Sequence, residues 1–197
     1  GIIVLGITLP NIQGMQGAVF HMLAHGISTS ALFMMVGMVY ERRHTKKISE
    51  FGGIASVMPV FAAFFILFSL ASVGLPLLNG FVGEFLVLLG AFKISYVYAA
   101  LAGSGVILGA VYMLKAVQKV FFGPLKKDEN KNLTDINLRE AGLILSMAAA
   151  VVFMGVYPSP FLSRIEPGAK VFLSQFAGQT DKIDSKGKGV SWELKKR

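Results

Sequence analysis

The sequence predicts an all-α protein, a polytopic membrane helix bundle with about four transmembrane spans, one of them discontinuous. Hydrophobic residues make up 54% of the 197 residues and charged residues only 15%, a composition far more apolar than a soluble domain needs. Several apolar runs approach the roughly 20 residues that cross a bilayer as a helix. The basic residues gather between these runs, as they do in loops beside a membrane.

The apolar runs, and the Gly and Pro residues that interrupt them, place four spans along the chain. The spans are Met15–Tyr40, Val57–Phe92, Tyr98–Phe122 and Ala141–Tyr157. Ahead of them, Gly1–Pro10 is interpreted as the end of an earlier membrane helix, so we expect a C-terminal fragment. Residues 1–160 are predicted to form the membrane domain, and residues 161–197 a polar C-terminal tail. Within that tail, Phe161–Phe176 is a candidate amphipathic segment at the membrane interface.

The second span is predicted to cross the membrane once, as one broken helix. The loops after the first and third spans are rich in Lys and Arg, so the positive-inside rule places both in the cytoplasm. The second and third spans must then cross twice between them. Because a straight second span would be much longer than the bilayer is thick, we expect a break at Gly74, Pro76 and Gly80, with Gly83 just beyond. A proline kink used only for packing is the alternative.

Glu84 is the first candidate for chemistry. It is the only acidic residue from Ser56 to Phe92, and it follows the predicted break by a few residues. A carboxylate inside a bilayer costs on the order of 3 kcal/mol or more unless it is paired, hydrated or protonated. Discontinuous helices are also common at transport sites. Glu84 is therefore predicted to transfer protons.

Two histidines and two lysines also lie inside the predicted spans. His21 and His25 are one helical turn apart, and histidine can pass protons through either ring nitrogen near neutral pH. A hydrogen bond to a neighbouring helix is the alternative role, especially for His21. Lys115 shares a helical face with Lys119 near the basic end of the third span. Anchoring at the interface is the favoured role of both lysines, and a place for Lys115 on a proton path is the second possibility.

The sequence does not support metal, nucleotide or nucleic-acid binding. The chain has no cysteine, so it has no disulfide and no thiolate-bound zinc or iron–sulfur centre. The net charge of +8 does not indicate nucleic-acid binding, because the basic residues flank membrane spans. Gly105 and Gly109 lie within an apolar span and are interpreted as a close-packing helix surface instead of a nucleotide loop. No cofactor or metal is expected in this chain.

The first two spans and the loop between them carry a series of short motifs. They are His21–Gly26, Ala31–Phe33, Val36–Arg42, Gly52–Pro59, Leu70–Pro76 and Gly80–Phe85. In this order they resemble the antiporter-like subunits of respiratory complex I, and among these the group called subunit M in bacteria and subunit 4 in mitochondria. A glutamate at position 84, where related subunits more often carry lysine, favours subunit M.

The resemblance implies a membrane subunit of NADH:quinone oxidoreductase, a translocase that moves protons while electron transfer takes place in other subunits. The chain would hold the end of the second of two inverted repeats plus a terminal helix, in the bacterial inner membrane beside other antiporter-like subunits. NADH, FMN, iron–sulfur clusters and quinone would belong to partner subunits. Glu84 would be the broken-helix acid near the outward proton exit, and His25 the connecting histidine of the preceding helix. Leu77 and Leu78 are bulkier than the residues expected at the break.

Two other functions stay open at this point. A subunit of a multi-subunit Na⁺/H⁺ antiporter would share the same core, and transport measured with and without Na⁺ separates the two. A chain that lacks half of the transport path would instead be a structural membrane component.

Overall fold

The computed structural model describes residues 1–125 and 127–185, with side chains described to residue 175. Within these ranges the chain is all-helical, with seven α-helices and no strand. The helices are α1 (Ile2–Thr8), α2 (Ile12–Arg43), α3 (Pro59–Ser72), α4 (Asn79–Phe92), α5 (Tyr96–Phe121), α6 (Leu138–Val156) and α7 (Ser159–Ser185). Lys126, a basic residue of the loop after the predicted third span, and residues 186–197 of the predicted tail lie outside the described residues.

The predicted fold class is confirmed, including the discontinuous span. Among the described residues, α2, α5 and α6 are each long and apolar enough to cross a membrane, whereas α3 and α4 are shorter apolar helices. Each of these two has 14 residues, so each is about 21 Å long and too short to cross alone. Together they form the second span, with the break between Ser72 and Asn79.

Polar side chains at the starts of α2 and α6 explain where these two helices begin. Asn11 precedes α2 and its side chain accepts the Gly14 N–H at 2.8 Å. Asn137 and Glu140 form a reciprocal capping box at the start of α6. These contacts satisfy backbone donors that have no partner inside the helix.

The loop that follows α2 and the loop that follows α5 lie against each other. Arg42 makes a two-point ion pair with Glu140, at 3.0 and 2.7 Å. Arg43 donates to the Asn130 side chain at 2.6 Å, and Asn130 in turn donates to the Glu50 carbonyl at 3.0 Å. Because both loops lie at the same end of the bundle, α3 and α4 together cross it once, as the loop charges predicted.

An aromatic cluster packs the loop end of the bundle. The Phe65 and Phe121 rings lie 4.8 Å apart, and Phe61 lies 6.0 Å from Phe121. Such ring contacts bury large apolar areas and hold helix ends together. They fasten the start of α3 to the end of α5, while most of α5 is exposed within the described chain.

Helix α7 includes residues 161–185 of the predicted polar tail. The Phe161 ring packs edge-on against Phe20 of α2 at 6.2 Å, and Glu166 pairs with Lys170 at 2.6 Å. Pro167 lies inside this helix. The domain boundary at residue 160, and the placement of this segment at the membrane interface, stay predictions.

Candidate functional site

The break between α3 and α4 is a tight turn with two left-handed residues. Gly74 has φ +73° and Leu77 has φ +74°, a conformation that glycine adopts freely and leucine rarely. The Leu75 N–H returns to the Leu70 carbonyl at 3.0 Å, and the Leu78 N–H reaches the Leu75 carbonyl at 3.1 Å. Pro76 between them has no N–H to satisfy.

The two leucines of the break, which are bulkier than expected, fit without crowding the site. Leu77 is 69% exposed, whereas Leu78 is buried in the core. On the backbone side, a side chain at Gly155 of α6 would collide with the Leu77 carbonyl. The break is therefore packed against α6 through the backbone, and Leu77 turns its side chain outwards.

Glu84 is buried against the break. The residue is only 9% exposed, and a side chain at Gly74 would collide with its Oε2 atom. Gly80 likewise leaves no room for a side chain, because the Ala71 carbonyl lies there. Glycine at positions 74 and 80 thus lets the ends of the two half-helices close on the carboxylate.

A cavity of about 150 Å³ lies beside the carboxylate. It is lined by Glu84, by Ser72 and Val73 at the end of α3, and by Gly105, Gly109 and Tyr112 of α5, among others. A water molecule needs roughly 10–15 Å³ of such volume together with polar partners. The cavity is therefore large enough for a short chain of water molecules that ends at Glu84.

The close packing predicted for Gly105 and Gly109 is not made within the described residues. An added side chain would meet open space at Gly105 and only the Tyr112 ring, at 3.9 Å, at Gly109. Both glycines instead border the cavity at Glu84. Their small size widens the space beside the carboxylate.

The two histidines lie one turn apart on α2, and the first of them packs against α4. A side chain at Gly83 would lie 2.6 Å from the His21 Cβ, so His21 packs against the residue that precedes Glu84. The His21 and His25 rings are stacked, with centroids 6.0 Å apart, and Thr29 Oγ1 lies 3.2 Å from a ring nitrogen of His25. His21 Nδ1 is buried without a hydrogen-bond partner among the described residues, whereas His25 is exposed.

Lys115 lies apart from this group. It is exposed and lines an open groove of about 520 Å³ with Lys119 and the turn at Ile48 and Ser49. Tyr112 borders both this groove and the cavity at Glu84. Lys115 is therefore near the loop end of α5, where an interfacial anchor is expected.

Asn79 is a site residue that the sequence analysis did not single out. It is the first residue of α4 and is fully buried. Its side chain accepts from Ser28 Oγ at 3.1 Å and donates to the Ala24 carbonyl at 3.2 Å. The signal in the sequence was an amide residue directly after a proline break inside an apolar run, a position where a buried polar group needs a partner.

The arrangement is suited to moving protons. A buried carboxyl and two stacked histidines can each gain and lose a proton, and the cavity can hold the water that relays it. Among the described residues, no group of three or more His, Asp or Glu side chains could hold a metal ion. Within these described residues, no cation lies within ion-pair distance of Glu84.

Comparisons with known sequences identify related proteins. A family model described as "NADH:quinone oxidoreductase/Mrp antiporter, TM" matches residues 1–109, more than half of the chain. The chain is 44% identical to NADH-quinone oxidoreductase subunit M of Rhodobacter capsulatus over 176 residues, which cover 89% of this chain and 34% of that protein. It is 42% identical to NADH-ubiquinone oxidoreductase chain 4 of Marchantia polymorpha over 160 residues, covering 81% and 32%. The chain thus spans about a third of the length of the curated relatives it matches.

Solved structures show the same fold. A chain of respiratory complex I from Thermus thermophilus with bound NADH superposes with a TM-score of 0.82 at 38% identity, over 88% of this chain and 36% of that one. A chain of the Mrp complex from a Dietzia species has a TM-score of 0.75 at 20% identity, over 85% and 39%. The second likeness is one of fold alone.

Proposed function

The chain belongs to the NADH:quinone oxidoreductase/Mrp antiporter family of membrane proteins, and from that premise we propose that it is part of a proton-translocating subunit of NADH:quinone oxidoreductase. In this proposal electrons move in other subunits, which carry NADH, FMN, iron–sulfur clusters and quinone. The chain would work in a bacterial inner membrane beside other antiporter-like subunits. The 44% identity to a subunit M supports this assignment.

One observation carries the proposal: the carboxylate of Glu84 is buried at the break of a discontinuous helix, beside a cavity that can hold water. A buried acid without a cation partner weakens a fold. It is kept in membrane proteins chiefly where an ion or proton must bind and leave. The half-helix ends, which close on this carboxylate, are also the usual surroundings of transport sites.

The mechanism follows from the surroundings of the carboxylate. Water in the cavity stabilises the ionised form, and its loss favours the neutral form. A small movement at the Gly74–Leu78 turn would change the cavity and so the protonation of Glu84. His21 and His25 would carry protons along α2 to and from the site.

A Na⁺/H⁺ antiporter subunit is the second candidate, and the shared fold of the Mrp complex favours keeping it. This chain is only 20% identical to the Mrp chain, whereas it is 44% identical to the oxidoreductase subunit M. Replacing Na⁺ by K⁺ in the transport assay should leave proton movement unchanged. Transport that requires Na⁺ would assign the chain to the antiporter.

The decisive experiment is Glu84→Gln in the intact subunit, within its membrane complex. Inverted membrane vesicles would report electron transfer and proton movement together. We expect assembly and electron transfer to survive and the number of protons moved per electron to fall. The matched control is Glu41→Gln, an exposed carboxyl at the loop end of α2, which should leave the ratio unchanged. A normal ratio in Glu84→Gln would refute the proposal and favour a structural role.

A further inference from the structure

Helices α2 and α4 pack with their backbones in contact along a line of glycines. A side chain at Gly17 would lie 2.8 Å from the Val87 nitrogen, and one at Gly90 would lie 2.7 Å from the Gly14 nitrogen. A side chain at Gly83 would lie 2.9 Å from the His21 backbone nitrogen. Small residues permit such an approach between membrane helices. Sliding of one helix along the other would therefore drive side chains into backbone.

At each end of this contact, an asparagine side chain forms hydrogen bonds between the two helices. At one end the Asn11 side chain donates to the Gly90 carbonyl at 2.9 Å and accepts from the Gly14 N–H at 2.8 Å. At the other end Asn79 accepts from Ser28 and donates to the Ala24 carbonyl. Each asparagine therefore uses both halves of its amide, which fixes the amide's orientation.

The two ends differ in their relation to the candidate site. Asn79 is fully buried and directly follows the break, and its partners Ala24 and Ser28 stand on either side of His25 in the sequence. Asn11 lies at the other end of the contact, before the first turn of α2. Glu84 follows Asn79 by about 1.4 turns of the same half-helix, so a shift at Asn79 is transmitted to the carboxylate.

We propose that Asn79 is a positioning residue that locks the half-helix carrying Glu84 to the histidine helix α2. This inference rests on the proposed function. Helices α2 and α4 then move as one body, and the Gly74–Leu78 turn takes up their motion relative to α3. The distance between Glu84 and His21 stays fixed while the cavity beside Glu84 changes.

The test compares Asn79→Ala with Asn11→Ala in the intact complex. Both variants remove an asparagine that joins the same two helices, and only Asn79 adjoins the break. Ser28→Ala removes one of the two Asn79 bonds. Inverted membrane vesicles report protons moved per electron, and the amount of assembled complex is measured alongside. A purely structural role lowers the amount of complex and leaves the ratio of what assembles unchanged.

We expect the ratio to be normal in Asn11→Ala, reduced in Ser28→Ala and lowest in Asn79→Ala. An assembled Asn79→Ala complex with a normal ratio would overturn the inference, as would an equal loss in Asn11→Ala. If Asn79→Ala does not assemble, Ser28→Ala tests the inference in its place. A normal ratio of protons to electrons in Ser28→Ala would then overturn the positioning role of Asn79. Glu84→Gln separates the two claims: when it lowers the ratio and Asn79→Ala does not, the positioning role fails and the proposed function stands.

Discussion

Gly74→Ala tests whether the break exists to hold the Glu84 carboxylate. The substitution has two costs that can be worked out separately. Gly74 has φ +73°, and a left-handed conformation costs an L-residue about 1–2 kcal/mol. The added Cβ would also lie 3.1 Å from Glu84 Cδ and closer still to Oε2. Since carbon contacts prefer about 3.5–4.0 Å, the carboxylate must retreat by about half an ångström or more.

These costs predict different results in two assays. The backbone cost lowers the amount of folded subunit, whereas the displaced carboxylate lowers proton transfer, by up to about 10²-fold for a misplacement near 1 Å. Gly123→Ala is the matched control, because Gly123 has φ +100° and an added side chain there meets nothing within 4 Å. It should reduce the amount of complex and leave the protons moved per electron unchanged. A Gly74→Ala complex that assembles and pumps normally would show that the contact between Gly74 and Glu84 has no role in transport.

Two further predictions concern the loop end of the bundle. Arg42→Ala should lower the free energy of unfolding by about 1–3 kcal/mol, because the Arg42 and Glu140 side chains are only 15% and 13% exposed. Thermal unfolding measures this loss. The control Lys131→Ala should show almost no change, because the pair of Lys131 with Asp128 is exposed. The hydrogen bond from Lys127 holds the pKa of Glu50 below its usual range, so the contact contributes above the ordinary glutamate pKa and is lost as the pH falls through the lowered value. Lys127→Gln should return the pKa of Glu50 towards its ordinary value in an NMR titration, and an unchanged pKa would contradict the assigned contact.

The sequence was sufficient for the architecture because the bilayer imposes strong local rules. Apolar runs must be helices in a membrane, and the two basic loops had to share one side. These rules predicted a single broken crossing, and the contact of Arg42 with Glu140 agrees with it. The same rules treat Arg42 as a topology signal only. Its role as the centre of a hydrogen-bond network depends on Thr134 and Asp135, more than 90 residues away in the chain, which no local pattern could reveal.

The candidate site was predictable in part for the same reason. Glu84 was identified by the energetic cost of an acid in an apolar run, which is a local property. The contact between its carboxylate and Gly74, and the buried bonds of Asn79, depend on how closely two half-helices return to each other and to α2. The glycines near the break were visible in the sequence. Which of them faces which backbone is decided by helix packing, and Gly105 and Gly109 show that small residues can equally border a cavity.

The buried carboxylate of Glu84 and the strained backbone of the break lie at the same place in the fold. Within the described residues no cation offsets the carboxylate, so the surrounding structure must stabilise α4 by other means. The glycine contact and the two asparagines bind α4 to α2 along its length, while its link to α3 is a short turn with one strained leucine. A site built for stability alone would place the strain and the unpaired acid apart. Here both lie at the junction of α3 and α4, where a small backbone movement can change the water that reaches Glu84.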